Sequence, residues 1–230
     1  LDISVCWENL DETDPDDREL VRRAIDESWG AAVPFNFHGW SQCLTNSTGI
    51  RILNVDRRAQ SYVGTHIDGR PNGMWLNFFY ERWNTVCNNS LQLRQACIRS
   101  TAIHEFGHAL GLRHEQERPD TPDALEGYNC VSEVVPETDS GYMMLGGWDL
   151  HSIMNYCRPS YFAPLSIGDI NTIQTIYSSL MNIGADDHLE EPLLANGDIS
   201  IRTFSGHYLV AERGGGSVVN ADREEGGPWE

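Results

Sequence analysis

The chain has 230 residues, 40% of them hydrophobic, and a formal net charge of −18 at pH 7. This length and apolar content suit one sizeable domain with a packed core, with room for a smaller appendage. All sixteen basic residues are arginine against 34 acidic residues, so the composition argues against a nucleic-acid binder or a binder of anionic membranes, which both need basic patches.

The six cysteines form no Cys-x-x-Cys pair and favour three disulfides. Because disulfides persist in oxidising compartments, we expect a secreted protein; the alternative is six buried thiols in a cytosolic one. No apolar run approaches the ~20 residues that span a bilayer, and Leu1 opens without a signal-like segment, so we expect a mature, soluble chain without membrane insertion. Proximity along the chain suggests the pairs Cys6–Cys43, Cys87–Cys97 and Cys130–Cys157.

The N-terminal region predicts a strand followed by a helix. Residues 2–9 alternate apolar and polar side chains, as in a half-buried strand. The next apolar segment, 18–30, has the spacing of an amphipathic helix, with Asp14 as the expected N-cap, Pro15 in the first turn and Gly30 as the stop signal. Its buried stripe would consist of residues that recur at every fourth position: Val21, Ile25 and Trp29.

The elements that follow indicate an α+β protein with a twisted mixed sheet. A long stretch without proline, 90–111, predicts the central core helix. Ser166 and Asp169 form a capping box before a last helix. Further strands are predicted at 33–40, 49–56, 60–66 and 73–80. The last helix has an apolar stripe of Ile170, Ile173, Ile176 or Tyr177, and Leu180.

The stretch HEFGHALGLRHEQERPD carries the strongest chemical signal. Two histidines four residues apart face the same side of a helix. Gly111 can end that helix in a left-handed conformation, so that the chain turns back and brings a third histidine to the first two. Three neutral imidazoles suit zinc and leave a position open for water, whose proton Glu105 is placed to accept. A lone histidine is more often an ordinary side chain, but this set predicts a catalytic zinc site with the ligands His104, His108 and His114.

The pattern H-E-x-x-H-x-x-G-x-x-H is a known zinc-protease signature. Together with HSIMNYC at 151–157, it resembles the metzincin clan, in which a methionine-containing turn lies beneath the zinc; Met154 would be that methionine, although alone it would more often be core filler. Within this clan the chain resembles the astacin family over roughly residues 3–180. The residues that carry this closer resemblance are Glu115, Arg118 and Asp120. Departures from the family pattern are Leu112, Asn155 and Cys157.

The resemblance implies a protease domain of two subdomains, with a twisted mixed sheet and helices over an active-site cleft. Tyr156 would be a further, switchable zinc ligand that stabilises the oxyanion. Tyr62 and Val63 would lie on an edge strand that binds the substrate backbone. In the family, the glutamate matched by Glu115 pairs with a longer mature N-terminus; because Leu1 begins almost at the first strand, we expect Glu115 to contact a backbone donor or an arginine.

The C-terminal region differs in composition from the rest. We predict a protease domain at 1–181, a linker at 182–197 rich in acidic residues, Gly and Pro, and a segment at 198–230 that resembles the start of a fascin-like β-trefoil lobe. A complete trefoil needs several more hairpins. The alternative is a Gly-rich tail packed on the catalytic domain. A trefoil would serve most simply as a binding module for glycans or another surface ligand.

These predictions combine into a monomeric, secreted zinc endopeptidase that acts on protein or peptide substrates. The alternative is a zinc-stabilised binding or adhesion protein, in which the trefoil-like segment binds a glycan. A structural zinc would be closed by a fourth protein ligand and would not need Glu105, which favours the enzyme.

Overall fold

The structure is a computed structural model that describes residues 1–122, 143–157 and 164–181 together with two strands at 199–202 and 208–211. The strands are Asp2–Trp7 (β1), Asn36–Gln42 (β2), Ile50–Asn54 (β3), Gln60–Ser61 (β4), Met74–Leu76 (β5), Ile199–Arg202 (β6) and Tyr208–Ala211 (β7). The α-helices are Pro15–Glu27 (α1), Trp29–Ala32 (α2), Leu91–Ala109 (α3) and Ile167–Met181 (α4). The predicted α+β class with a mixed sheet is confirmed.

Five strands form the sheet in the order β2-β1-β3-β5-β4, parallel except for β4, which runs antiparallel to β5 at one edge. The central strand β3 is almost entirely buried, as expected for a strand covered on both faces. The strand predicted at 60–66 is shorter than expected, because only Gln60 and Ser61 pair with β5. Gly64 takes a left-handed backbone conformation with φ of 58°, and a 3₁₀ turn, Gly64–Ile67, replaces the rest of the strand.

The predicted apolar stripe packs into the core, where Val21 and Ile25 of α1 and Trp29 of α2 are fully buried. The predicted N-cap is confirmed, since Asp14 accepts a hydrogen bond from the backbone N–H of Asp16 at 2.8 Å. The predicted end at Gly30 is wrong. The helix ends at Glu27 because the next residue, Ser28, leaves the helical conformation while its hydroxyl donates to Ala24 O, and α2 then includes Gly30.

Helix α3 is the central helix that the sequence predicts, and it crosses the core beside α1. Its N-terminus is capped by Ser90, whose hydroxyl accepts from Leu93 N at 3.1 Å. Arg94 on α3 donates to the carboxylate of Asp17 on α1, which ties the two helices together. At the other end Gly111 has φ of 100°, the left-handed conformation expected where the chain turns back.

Helix α4 begins with the predicted capping box. Ser166 N donates to the Asp169 carboxylate, and Asp169 N donates to Ser166 Oγ, both at 2.9 Å. Ile173 and Tyr177 are buried, and the Tyr177 hydroxyl donates to Leu110 O at 3.0 Å. This contact fixes α4 against the chain segment that follows α3.

Two of the predicted disulfides, Cys6–Cys43 and Cys87–Cys97, are confirmed. Cys157 is also disulfide-bonded, but its predicted partner Cys130 lies outside the described residues.

Strands β6 and β7 form an antiparallel ribbon. The trefoil-like lobe is not confirmed by this ribbon, the linker predicted at 182–197 lies outside the described residues, and the domain boundaries stay predictions. In the described parts of the chain, no helix is long and apolar enough to traverse a bilayer.

Candidate metal centre

Helix α3 and the turn at Gly111 bring the three predicted histidine ligands together. His104 and His108 lie one turn apart on α3, and His114 returns to them after the chain reverses. One ligand atom from each lies within 4.8 Å of those of the other two, and the Nε2 atoms of His108 and His114 are 3.1 Å apart. His108 and His114 are buried and His104 is partly buried, and His104 lines a pocket beside the cluster.

The ring orientations direct the ε nitrogens toward one another. Each Nδ1 has an oxygen atom as its partner, so each Nδ1 must carry the proton, and the neutral ring keeps its lone pair on Nε2. The three hydrogen bonds, at 2.8–2.9 Å, run from His104 to Ile153 O, from His108 to Leu112 O, and from His114 to Glu117 Oε1.

The chemistry of this donor set fits zinc. Burial lowers the pKa of His108 well below its usual range, and the neighbouring His104 and His114 lower it further. His108 is therefore a neutral ligand at pH 7. Three neutral imidazole nitrogens with fixed tautomers are a donor set that catalytic zinc sites use, and such a set leaves a position open for water or substrate.

Glu105 is a buried carboxylate next to the cluster. Its side chain is only 3% exposed, and its Oε2 atom has no hydrogen-bond partner among the residues the structure describes. Burial raises the pKa of Glu105 well above its usual value, and the positive charge of Arg58 opposes this effect. The carboxylate therefore has a raised proton affinity beside the site where the histidine nitrogens converge.

Tyr156 covers the same site. Its ring stacks on His104 with centroids 5.6 Å apart and lies 4.4 Å from the ring of His114. Its hydroxyl accepts a hydrogen bond from Arg58 Nη2 at 3.2 Å, and burial raises the pKa of Tyr156 to about 12. Sequence reasoning missed Arg58, because this arginine lies in the loop between β3 and β4 and belongs to no motif, and its contact with Tyr156 spans 98 residues.

The predicted methionine lies beneath the helix that carries two of the histidines. Met154 is 2% exposed and packs against Gly107, where an added Cβ would overlap the Met154 sulfur and also press on Trp29. The absence of a side chain at Gly107 is therefore a packing requirement. The same turn supplies the carbonyl of Ile153 to His104, and Met154 O accepts from Glu115 N at 3.0 Å.

Asp169 has a second role besides capping α4. Its buried carboxylate accepts from Ser152 Oγ at 2.6 Å and from Ile153 N at 2.8 Å, in addition to its capping partner Ser166. Because Ile153 O binds His104, this carboxylate fixes the turn that orients a histidine of the cluster. The sequence predicted only the cap, since nothing local links Asp169 to residues 16 and 17 positions earlier.

We expect Asp169→Asn to lower the free energy of unfolding by about 2–3 kcal/mol, because hydrogen bonds to a buried charged group are lost and the new amide brings donors toward donors. Denaturant unfolding of the variant and the parent measures this loss. Asn171→Ala, at an exposed position on the same helix, is the matched control and should change the free energy of unfolding little. Equal stability of the Asp169 variant and the parent would contradict the proposed bridge.

Glu115 confirms the expectation that it contacts a backbone donor and an arginine. Its Oε1 atom accepts from Asp149 N at 2.8 Å and lies 3.4 Å from Arg118 Nε. Arg118 in turn donates to both oxygens of Asp120, at 2.8 and 2.9 Å. Burial raises the pKa of Glu115 to about 7, although Arg118 opposes the shift. These three residues anchor the segment after the third histidine.

Tyr62 and Val63 follow edge strand β4 directly. Tyr62 N donates to Gly73 O at 3.1 Å, which extends the edge by one residue. Gly64 then passes close to Gly111, since a Cβ at Gly64 would lie 3.8 Å from Gly111 Cα. The edge segment therefore runs beside the end of α3.

A pocket of about 570 Å³ opens beside the histidine cluster. Its wall combines the catalytic candidates with polar and aromatic residues from the loops around β4 and β5. The lining includes Arg58, Asn77, Trp83, Thr101, Glu105 and Tyr156.

Comparisons with known proteins agree with this architecture. Residues 3–191 match the peptidase family described as Astacin. The chain is 33% identical over 142 residues to zinc metalloproteinase nas-3 of Caenorhabditis elegans, covering 55% of this chain and 46% of nas-3. It is 25% identical over 162 residues to zinc metalloproteinase nas-36 of the same organism, covering 63% of this chain and 26% of nas-36. The chain thus spans less than half the length of these relatives.

The fold is also similar to that of a solved structure, myroilysin. The TM-score is 0.53 at 22% sequence identity, and the match covers 77% of this chain and 92% of that one. Since the family match includes more than half of the residues, the chain belongs to the astacin family of peptidases.

Proposed function

We propose that this protein is a zinc-dependent endopeptidase that hydrolyses peptide bonds in protein or peptide substrates. The observation that carries the proposal is the buried Glu105 carboxylate beside three histidine nitrogens within 4.8 Å of one another. A purely structural zinc would be enclosed by a fourth ligand and would need no such carboxylate. Family membership supports the same reaction.

Zinc would be held by Nε2 of His104, His108 and His114, with the Tyr156 hydroxyl as a further ligand. When bound, zinc supplies Lewis acidity, which polarises the scissile carbonyl and acidifies water. Glu105 accepts the proton of the attacking water and delivers it to the leaving amine. Burial raises the pKa of Glu105, and the higher proton affinity favours uptake of the water's proton.

Tyr156 would stabilise the negative charge that develops on the carbonyl oxygen. Tyr156 lines the pocket together with His104, and its hydroxyl accepts the hydrogen bond from Arg58. A neutral hydroxyl can donate to an oxyanion, and a pKa of about 12 favours the protonated form at neutral pH. Met154 would shape the floor beneath the ligands through its contact with Gly107.

The substrate backbone would bind along the edge formed by β4, Tyr62 and Val63. Among the residues that the structure describes, β4 is the last strand of the sheet and one of its sides has no neighbouring strand, and this edge lies next to the end of α3. An extended peptide can add to such an edge by main-chain hydrogen bonds, the mode called β-augmentation. This arrangement supports an endopeptidase, which must bind substrate on both sides of the cleaved bond.

Secretion is the localisation that the chemistry supports, because the described disulfides would be reduced in a cytosol. The monomeric state and a glycan-binding role for residues 198–230 are proposals that rest on the sequence alone.

Removal of the metal tests the proposal. We expect 1,10-phenanthroline to abolish cleavage of denatured casein and of a fluorogenic peptide. After the chelator has been removed, zinc added in an amount equimolar to the protein should restore cleavage. Atomic absorption should find zinc bound to the parent and lost after chelation. Stoichiometric zinc without cleavage of either substrate would instead favour a binding protein with a structural zinc.

A further inference from the structure

We propose that Glu117 is a positioning residue of the zinc site, which acts through His114 as a carboxylate–histidine pair. Glu117 Oε1 accepts the Nδ1 proton of His114 at 2.9 Å. The corresponding partners of His104 and His108 are neutral backbone carbonyls, so His114 alone among the three has a charged acceptor. The inference rests on the proposed function insofar as zinc binds to these histidines.

The third histidine needs an orienting partner more than the other two do. His104 and His108 are on α3, whose backbone fixes their direction, whereas His114 follows the turn at Gly111 and has no helical scaffold. Glu117 lies only three residues after His114, in a 3₁₀ turn, Glu115–Glu117. The position of the carboxylate is therefore determined by the same short segment that carries the ligand.

That segment is anchored to the methionine turn on its other side. Glu115 N donates to Met154 O at 3.0 Å, and the buried side chain of Gln116 accepts from Tyr156 N at 3.1 Å. The turn cannot shift without breaking both contacts. Glu117 is thus held in place by the site and in turn fixes the ring of His114.

Burial makes the pair strong. His114 is 4% exposed and Glu117 is 8% exposed, and a hydrogen bond to a carboxylate is stronger in such surroundings than in water. Arg113 Nε lies 3.4 Å from the second carboxylate oxygen and offsets part of the cost of burying the negative charge. A buried carboxylate that both orients an imidazole and raises its basicity strengthens the bond from Nε2 to a metal.

Zinc affinity tests the inference independently of catalysis. Glu117→Gln keeps an oxygen acceptor but removes the charge, and we expect it to weaken zinc binding about 10-fold; Glu117→Ala removes both and should approach the ~100-fold loss typical of such partners. Competition with a chelating indicator gives the zinc Kd of the parent and of each variant. In the cobalt-substituted protein, the visible absorption spectrum should also change, because the ligand field at His114 changes.

Glu8→Gln is the matched control, because it replaces another partly buried carboxylate, whose pKa is lowered by its hydrogen bond from Arg51, without touching a histidine ring. We expect its Kd and cobalt spectrum to stay close to those of the parent. Circular dichroism of the zinc-free proteins reports any loss of folding.

An equal loss of affinity in Glu117→Gln and Glu8→Gln would reduce the effect to net charge and overturn the inference. A folded Glu117→Gln variant with the parent's Kd and spectrum would do the same, and the proposed peptidase would still stand if the parent binds zinc and cleaves. A parent that binds no zinc would overturn both.

Discussion

Glu105→Gln is expected to reduce turnover of a fluorogenic peptide by about 10³- to 10⁴-fold while zinc remains bound, toward the upper end of what general-base catalysis contributes. Glutamine keeps the shape of the side chain, but its amide cannot accept the proton of water. The loss should be large because no competent nucleophile forms easily at neutral pH without that base. All three histidine rings keep their Nδ1 partners, since none of these partners is Glu105.

The experiment separates chemistry from binding. Bound zinc, kcat and KM are measured for the variant and the parent on the same peptide. We expect KM to change little, since Glu105 is not expected to hold the peptide backbone, so the effect should fall on kcat. Near-normal turnover with zinc in place would eliminate Glu105 as the base and with it the proposed hydrolase mechanism.

The parts of the fold that follow local rules could be predicted from the sequence. The caps at Asp14 and at Ser166 with Asp169, and the left-handed Gly111, depend on residues a few positions apart. The three histidines could be predicted for the same reason, since helical spacing and one glycine turn bring them together. Local chemistry is therefore enough to predict that the three histidines cluster.

The parts that depend on distant contacts could not be predicted. Glycine is a weak helix former, so the sequence alone gives no reason for Gly107 inside α3. The reason is the packing of Met154, which leaves no room for a side chain at that position. Asp169 satisfies a capping pattern, and its hydrogen bond to Ile153 has no sequence signature. The strand predicted at 60–66 was too long because the φ of Gly64 is set by the turn that brings the edge beside Gly111.

Arg58 and Glu117 show the same limit at the site itself. Both were missed because each acts through a neighbour, Arg58 on the Tyr156 hydroxyl and Glu117 on the ring of His114. Motifs identify groups that contact metal or substrate, whereas supporting groups can come from many positions in the chain.

Tyr156→Phe should lower turnover by about 10²- to 10³-fold, the usual cost of one lost oxyanion donor, and should leave zinc bound by the three histidines. The ring is retained, so its stacking on His104 and its contact with His114 persist. Affinity for a substrate-like inhibitor should change little, whereas a phosphinic transition-state analogue should bind more weakly in proportion to the loss of kcat/KM.

Substitution of Arg58 gives a second test of the role of the Tyr156 hydroxyl, because the Nη2 atom of Arg58 donates to this hydroxyl. Arg58→Met alone should lower turnover about 10-fold, the approximate worth of one charge-assisted hydrogen bond. If Arg58 acts by holding Tyr156, the same substitution in the Tyr156→Phe background should cost almost nothing more, and the double-mutant cycle should be strongly non-additive. Additive losses would mean that Arg58 acts on Glu105 or on the substrate instead. Near-normal turnover of Tyr156→Phe would remove the tyrosine from the mechanism and leave Glu105 and the three histidines as its essential groups.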